Sequence, residues 1–103
     1  MIRASYRVEG DTHSLTVTGH AGYAEKGSDI VCAGASALVQ ALLGFVEEYP
    51  CEIECVSIDH STGEVLVSCR GGSDVAAVFQ MTALGLEQIA FTYPDYVEIE
   101  LSV

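Results

Sequence analysis

SLTVTGHAGYAEKGSDIVCAGASALVQALLGFVEE, residues Ser14–Glu48, runs from a strand through a loop into a helix. Ser14 to Gly19 alternates, with Leu15 and Val17 on one face, the period-two pattern of a half-buried strand. His20 to Gly27 follows, and its two glycines and mixed polarity mark a loop. Ser28 and Asp29 both offer a side-chain oxygen to cap a helix, and the sequence does not separate them. From Ile30 to Glu48, Val31, Ala35, Leu38, Leu42, Phe45 and Val46 recur at spacings of three and four and build one apolar stripe. Gly34 and Gly44 each cost this helix about 1 kcal/mol relative to Ala, which suggests that another backbone approaches there. Pro50 is expected to stop the helix.

The flanks extend this pattern. Ile2 to Glu9 reads as a strand, and Gly10-Asp11 as the turn of a hairpin with the next strand. Cys51 to Ile58 alternates, with Ile53, Cys55 and Ser57 expected on one face and Glu54, Val56 and Ile58 on the other. Asp59 to Gly63 is turn-rich, and Glu64 to Cys69 is the return strand. Gly71 to Asp74 breaks and caps a second helix, expected from Val75 to about Phe91 with Val78, Phe79, Thr82, Leu86 and Ile89 on its apolar side. Tyr96 to Val103 reads as a last strand with Val97, Ile99 and Leu101 toward the core. The order β-β-α-β-β-α-β predicts an α+β fold: a two-layer sandwich of two main helices on a mixed or antiparallel sheet of about five strands. The order of strands within the sheet is left open.

The chain has 103 residues, half of them apolar, which fits one domain with its own core over 1–103. No run of eighteen uninterrupted apolar residues occurs, and the first ten residues include Arg3, Arg7 and Glu9. Neither a membrane span nor a signal peptide is expected, and the chain is read as cytoplasmic. In that setting Cys32, Cys51, Cys55 and Cys69 are expected as free thiols. Four basic residues stand against fifteen acidic ones, a formal charge of −11. Such a surface repels nucleic acid and attracts basic proteins, more weakly as salt rises.

The chemically informative residues are His20 and Cys32. The thiolate is the nucleophilic form of cysteine, and Cys32 falls in the first helical turn, where unpaired N–H groups and the helix dipole favour an anion. His20 ends a strand just before the loop that leads to Cys32, so the loop can fold back and pair imidazole with thiol. The same helix start could offer backbone N–H groups to an oxyanion. A lone cysteine near a helix start is also a common packing residue. Ser36 shares the Cys32 face and could hold substrate, orient the thiol, or bond back to the Cys32 carbonyl. Asp29 could complete a triad or simply cap. Cys51, Cys55 and Cys69 could gather as three thiols if Cys69 lies across from Cys55, but their spacing is poor for zinc, and no metal or other cofactor is expected. His13 and His60 sit beside turns and are expected in solvent. Asp95, Glu98 and Glu100 read as a solvated strand face, and no phosphate-binding glycine motif occurs.

Gly19-His20-Ala21, Gly27-Ser28-Asp29-Ile30-Val31-Cys32-Ala33 and Ser36-Ala37-Leu38 resemble the ribosomal-processing cysteine protease (Prp) family. Tyr93-Pro94-Asp95-Tyr96-Val97 is similar to that family's entry into its C-terminal strand. The pattern departs at Gly34, where Ala is more usual. The resemblance implies an endopeptidase that removes the N-terminal extension of a large-subunit ribosomal protein, the one numbered twenty-seven, cutting after aromatic residues. It implies His20 and Cys32 as a dyad and Ser36 as the associated helix serine. Asp29, Gly22 and Gly27 become supporting residues in a loop that rearranges around substrate, and Tyr23 a lining residue of an apolar groove. A homodimer acting on a basic ribosomal precursor, with no direct nucleic-acid or membrane contact, is the implied assembly. The competing expectation is a non-catalytic acidic module that docks on basic ribosomal proteins. A weaker third reading is a thiol redox sensor.

Overall fold

The computed structural model describes residues 1–49, 51–59 and 61–102. The expected terminator Pro50, the turn residue His60 and the last strand residue Val103 lie outside them. The elements are β1 (Ile2–Glu9), β2 (Thr12–Thr18), α1 (Ile30–Glu48), β3 (Glu52–Asp59), β4 (Glu64–Arg70), α2 (Ser73–Thr92) and β5 (Val97–Ser102). This is the expected order, on a mixed five-stranded sheet arranged β3-β4-β2-β1-β5. Among the described pairs β1 and β5 alone run parallel, and α2 lies in the connection that carries the chain from β4 past β2 and β1 to β5. Gly10, at φ 63°, takes the positive φ that the first central residue of a type II′ hairpin turn needs.

One face of the sheet carries the core. Ala4 pairs with Val17, Tyr6 with Leu15, and Leu15 with Val67, all buried. Against them α1 buries Val31, Ala35, Val39, Leu42 and Val46, and α2 buries Val75, Phe79, Thr82, Ala83 and Leu86. The expected stripes are rotated slightly. Leu38, Phe45, Val78 and Ile89 lie at the margin, and Val39, Val75 and Ala83 sit deeper than the spacing suggested. Both helices match a membrane span in length and apolar composition, yet each packs one side on the sheet. The tight helix crossing is at neither expected glycine. A methyl on Gly34 would make an ordinary 3.5 Å contact with Ile89, and one on Gly44 would meet nothing within 4 Å. At Gly85 of α2 a Cβ would press to 2.9 Å from Leu38, so that glycine lets the helices meet.

Four sequence expectations change here. His13 is not in solvent: it is only 5 % exposed, its ring packs tilted against Phe79, and its Nδ1 shares a 2.8 Å hydrogen bond with the Tyr6 hydroxyl. The bond satisfies two polar groups that burial would otherwise penalise. Burial also raises the Tyr6 pKa above its ordinary value. The faces of β3 differ as well. A register shift between Ile53 and Cys55 puts Ile53, Val56 and Ile58 opposite Cys69, Val67 and Val65, all on the helix side. A bulge adds one residue and so reverses every later side chain. Consequently Cys55 faces Ser68 rather than Cys69, and no metal-binding trio of His, Cys, Asp or Glu occurs among the described residues. Burial, with the Cys51 thiol beside it, pushes the Cys69 thiol up to about 11. The last strand buries Val97 fully and Ile99 partly, but leaves Leu101 40 % exposed.

Candidate active site

The site begins where β2 ends. Gly19 turns the chain at φ 83°, and a side chain there would collide with the Met1 carbonyl oxygen. The chain therefore leaves the sheet beside the start of β1 and presents His20 at the surface, while the buried Ala21 pins the loop to the core. Gly22 (φ 70°) and Gly27 (φ 93°) shape the exposed loop, and the Ser28 N–H donates to the Glu25 carbonyl at 2.9 Å.

Asp29, not Ser28, caps α1. Its Oδ1 accepts the Cys32 N–H at 2.9 Å, and its Oδ2 accepts the Tyr23 N–H at 3.0 Å and the Ala24 N–H at 3.4 Å. One carboxylate thus ties the loop to the helix start. These bonds, the Cys32 one foremost, hold Asp29 below the usual aspartate range and keep it ionised. Its oxygens serve the backbone and do not orient His20. Of the helix-start amides expected to face an oxyanion, that of Cys32 is engaged by this carboxylate.

Cys32 is half-buried at the third position of α1. Two adjoining cavities open beside it, of about 380 Å³ and about 730 Å³. The smaller is apolar within, between Ile2, Val17, Ile58 and Val65 of the sheet and Val39 and Leu43 of α1. The larger runs under the loop, along Gly22, Gly27, Ser28, Asp29 and Ile30, to Ser61. His20, Cys32 and Ser36 line both, so these three stand where the cavities meet. Ser36 is exposed, and its hydroxyl does not bond back to the Cys32 carbonyl. Tyr23 lines neither cavity. Its ring packs edge-on against Tyr93 and Tyr96 at centroid distances of 5.4 and 5.2 Å, which anchors the loop to the approach of β5.

The wall contributed by β3 and β4 was invisible to sequence reasoning. Ile58, Asp59, Ser61 and Gly63 reach the site only because the sheet order sets β4 next to β2. Asp59 accepts the Ser61 N–H at 2.9 Å and its hydroxyl at 2.6 Å, which keeps this carboxylate ionised and its turn fixed. The arrangement can therefore present a thiol, an imidazole and a hydroxyl to an extended chain lying across both cavities.

Residues 1–98 match the family model described as "Cysteine protease Prp". The "Ribosomal processing cysteine protease Prp" of Mycoplasma genitalium is 33% identical over 85 residues, covering 82% of this chain and 84% of that protein. The protein of the same name from Mycoplasma pneumoniae is 28% identical over 88 residues, covering 85% and 86%. The S. aureus protease Prp, solved with a covalently linked product peptide, superposes with a TM-score of 0.88 at 21% identity, covering 99% of this chain and 100% of that one.

Proposed function

The chain belongs to the Prp family of cysteine proteases, and from that premise we propose that it removes the N-terminal extension of a large-subunit ribosomal protein, number twenty-seven, using Cys32 and His20 as a dyad. The observation that carries this reading is the meeting of His20, Cys32 and Ser36 at the junction of an apolar and a loop-lined cavity. The Cys32 thiol gives its proton to the imidazole, and the sulfur attacks the scissile carbonyl carbon. The C–N bond breaks, the imidazolium returns the proton to the leaving amine, and the acyl group stays on sulfur as a thioester. Water, deprotonated by His20, then releases the acid and restores the thiol. With the Cys32 amide held by Asp29, the Ser36 hydroxyl at the junction serves as one donor to the developing oxyanion. The apolar cavity accepts the aromatic residues that precede the scissile bond, and the net charge of −11 favours approach of a basic precursor.

The test is a peptide spanning the extension and the start of the mature protein, followed by mass spectrometry. A single cut after the aromatic residues is expected. Salt-sensitive binding of the intact peptide with no cut would instead favour an acidic docking module.

We further propose a homodimer that covers the outer stripe of α2. Met81, Leu84 and Phe91 are 68 %, 54 % and 86 % exposed, a line of large apolar side chains seldom left to water. Sedimentation equilibrium should give a dimer for the native chain and a monomer for Phe91→Glu. A native monomer, or an unchanged dimer in the variant, counts against this interface.

A further inference from the structure

We propose that Gly63, in the turn between β3 and β4, is a positioning residue that sets the orientation of the His20 ring. The inference rests on His20 acting as the base. Gly63 has φ 70°, and a Cβ built there would lie 2.9 Å from His20 Cε1, 3.1 Å from His20 Nε2 and 3.1 Å from the Gly19 carbonyl oxygen. The bare backbone of the turn therefore packs on the outer edge of the imidazole. That support matters because, among the described residues, no carboxylate is hydrogen-bonded to the ring. Asp29 is bonded to the amides of Cys32, Tyr23 and Ala24, and Asp59 to Ser61. An orienting partner is what a catalytic imidazole ordinarily requires, and here a glycine surface fills that role.

Short-range hydrogen bonds brace the described residues of the turn. Asp59 holds Ser61 on one side, the Thr62 hydroxyl accepts the Glu64 N–H at 3.3 Å on the other, and Asp59 pairs with Glu64 across the hairpin. The easiest relief for an added methyl is rotation of the exposed His20 ring out of its place at the cavity junction. A substitution at Gly63 thus acts on chemistry while the fold persists.

Gly10 supplies the control. It has φ 63°, and a Cβ there would meet nothing within 4 Å, so Gly10→Ala likewise puts a side chain on a positive-φ glycine but does not touch the site. Peptide cleavage, urea unfolding and the pH profile of Cys32 alkylation, read by mass spectrometry of the Cys32 peptide, are compared in the native protein, Gly63→Ala, Gly10→Ala and His20→Ala. The other titratable groups sharing the two cavities, Lys26, Asp29 and Asp59, are common to all four proteins. Both alanine-for-glycine variants should lose similar stability. Gly63→Ala should lose on the order of 100-fold in kcat with little change in KM, the scale of a displaced general base. Its alkylation profile should match that of His20→Ala, while Gly10→Ala should stay within about twofold of the native rate. Gly63→Asn carries the same Cβ on a residue that tolerates positive φ and should behave like Gly63→Ala. If His20→Ala alkylates and cleaves like the native protein, the dyad reading fails. If His20→Ala differs but the Gly63 variants follow the native protein, Gly63 does not position the ring and the dyad stands. Unfolding of both Gly63 variants beyond the Gly10→Ala level would overturn the proposal too, since it requires the ring to yield before the fold.

Discussion

Cys32→Ala is expected to abolish cleavage, with a loss on the order of 10⁵-fold or more, while the protein stays folded. Without sulfur no thioester forms, and neither His20 nor Ser36 can substitute for it in the geometry of the junction. The fold should tolerate the change. Cys32 contributes to the helix cap through its backbone N–H, which alanine keeps, and alanine is the better helix former. The urea midpoint should therefore move little, and the variant should still bind the extension peptide. Cleavage at an undiminished rate by well-folded Cys32→Ala would remove this sulfur from the mechanism. A variant that neither folds nor binds would show that Cys32 is chiefly a packing residue.

Phe79→Ala is expected to cost about 3–5 kcal/mol of stability, the range for truncating a fully buried aromatic ring. Phe79 is 0 % exposed and sits where α2 crosses the sheet. Its ring lies 6.2 Å from that of Tyr6 and 5.7 Å from that of His13, so it roofs the buried Tyr6–His13 pair. Truncation removes apolar contact and opens a cavity against a hydroxyl and an imidazole that then compete for water. Because domains of this kind are stable by only about 5–15 kcal/mol, the loss is a large part of the whole. Urea denaturation of Phe79→Ala against Phe79→Leu measures it, with the leucine variant retaining most of the volume and most of the stability. A cost below about 1 kcal/mol for the alanine variant would mean that α2 repacks freely and that the Tyr6–His13–Phe79 stack is not a fixed part of the core.

Much of the site's first half was legible. The end of β2 just before Gly19, the loop and the start of α1 follow from local pattern, so His20 and Cys32 stand on either side of one loop in the sequence itself. The capping choice was not legible. Ser28 and Asp29 are equally good oxygen donors in sequence, and the decision came from the loop, whose Tyr23 and Ala24 amides turn back onto the second Asp29 oxygen. Tyr23 was misplaced for a related reason. An aromatic beside a site reads as groove lining, but its partners Tyr93 and Tyr96 lie some seventy residues away along the chain. His13 was misplaced because proximity to a turn says nothing about which strand face the helices cover.

By itself, the sequence determined the elements, their order, the two-layer class, and the positions of the imidazole and thiol on either side of one loop. Periodicity and capping chemistry act over a few residues and can be read without knowing what lies opposite. The tertiary structure alone decided that β4 lies beside β2, that a bulge turns Ile53, Val56 and Ile58 to one face, and that Gly63 rests on His20. Strand pairing joins residues far apart in the chain, and one extra residue reverses a face, so the surroundings of a local motif are settled only when the sheet closes.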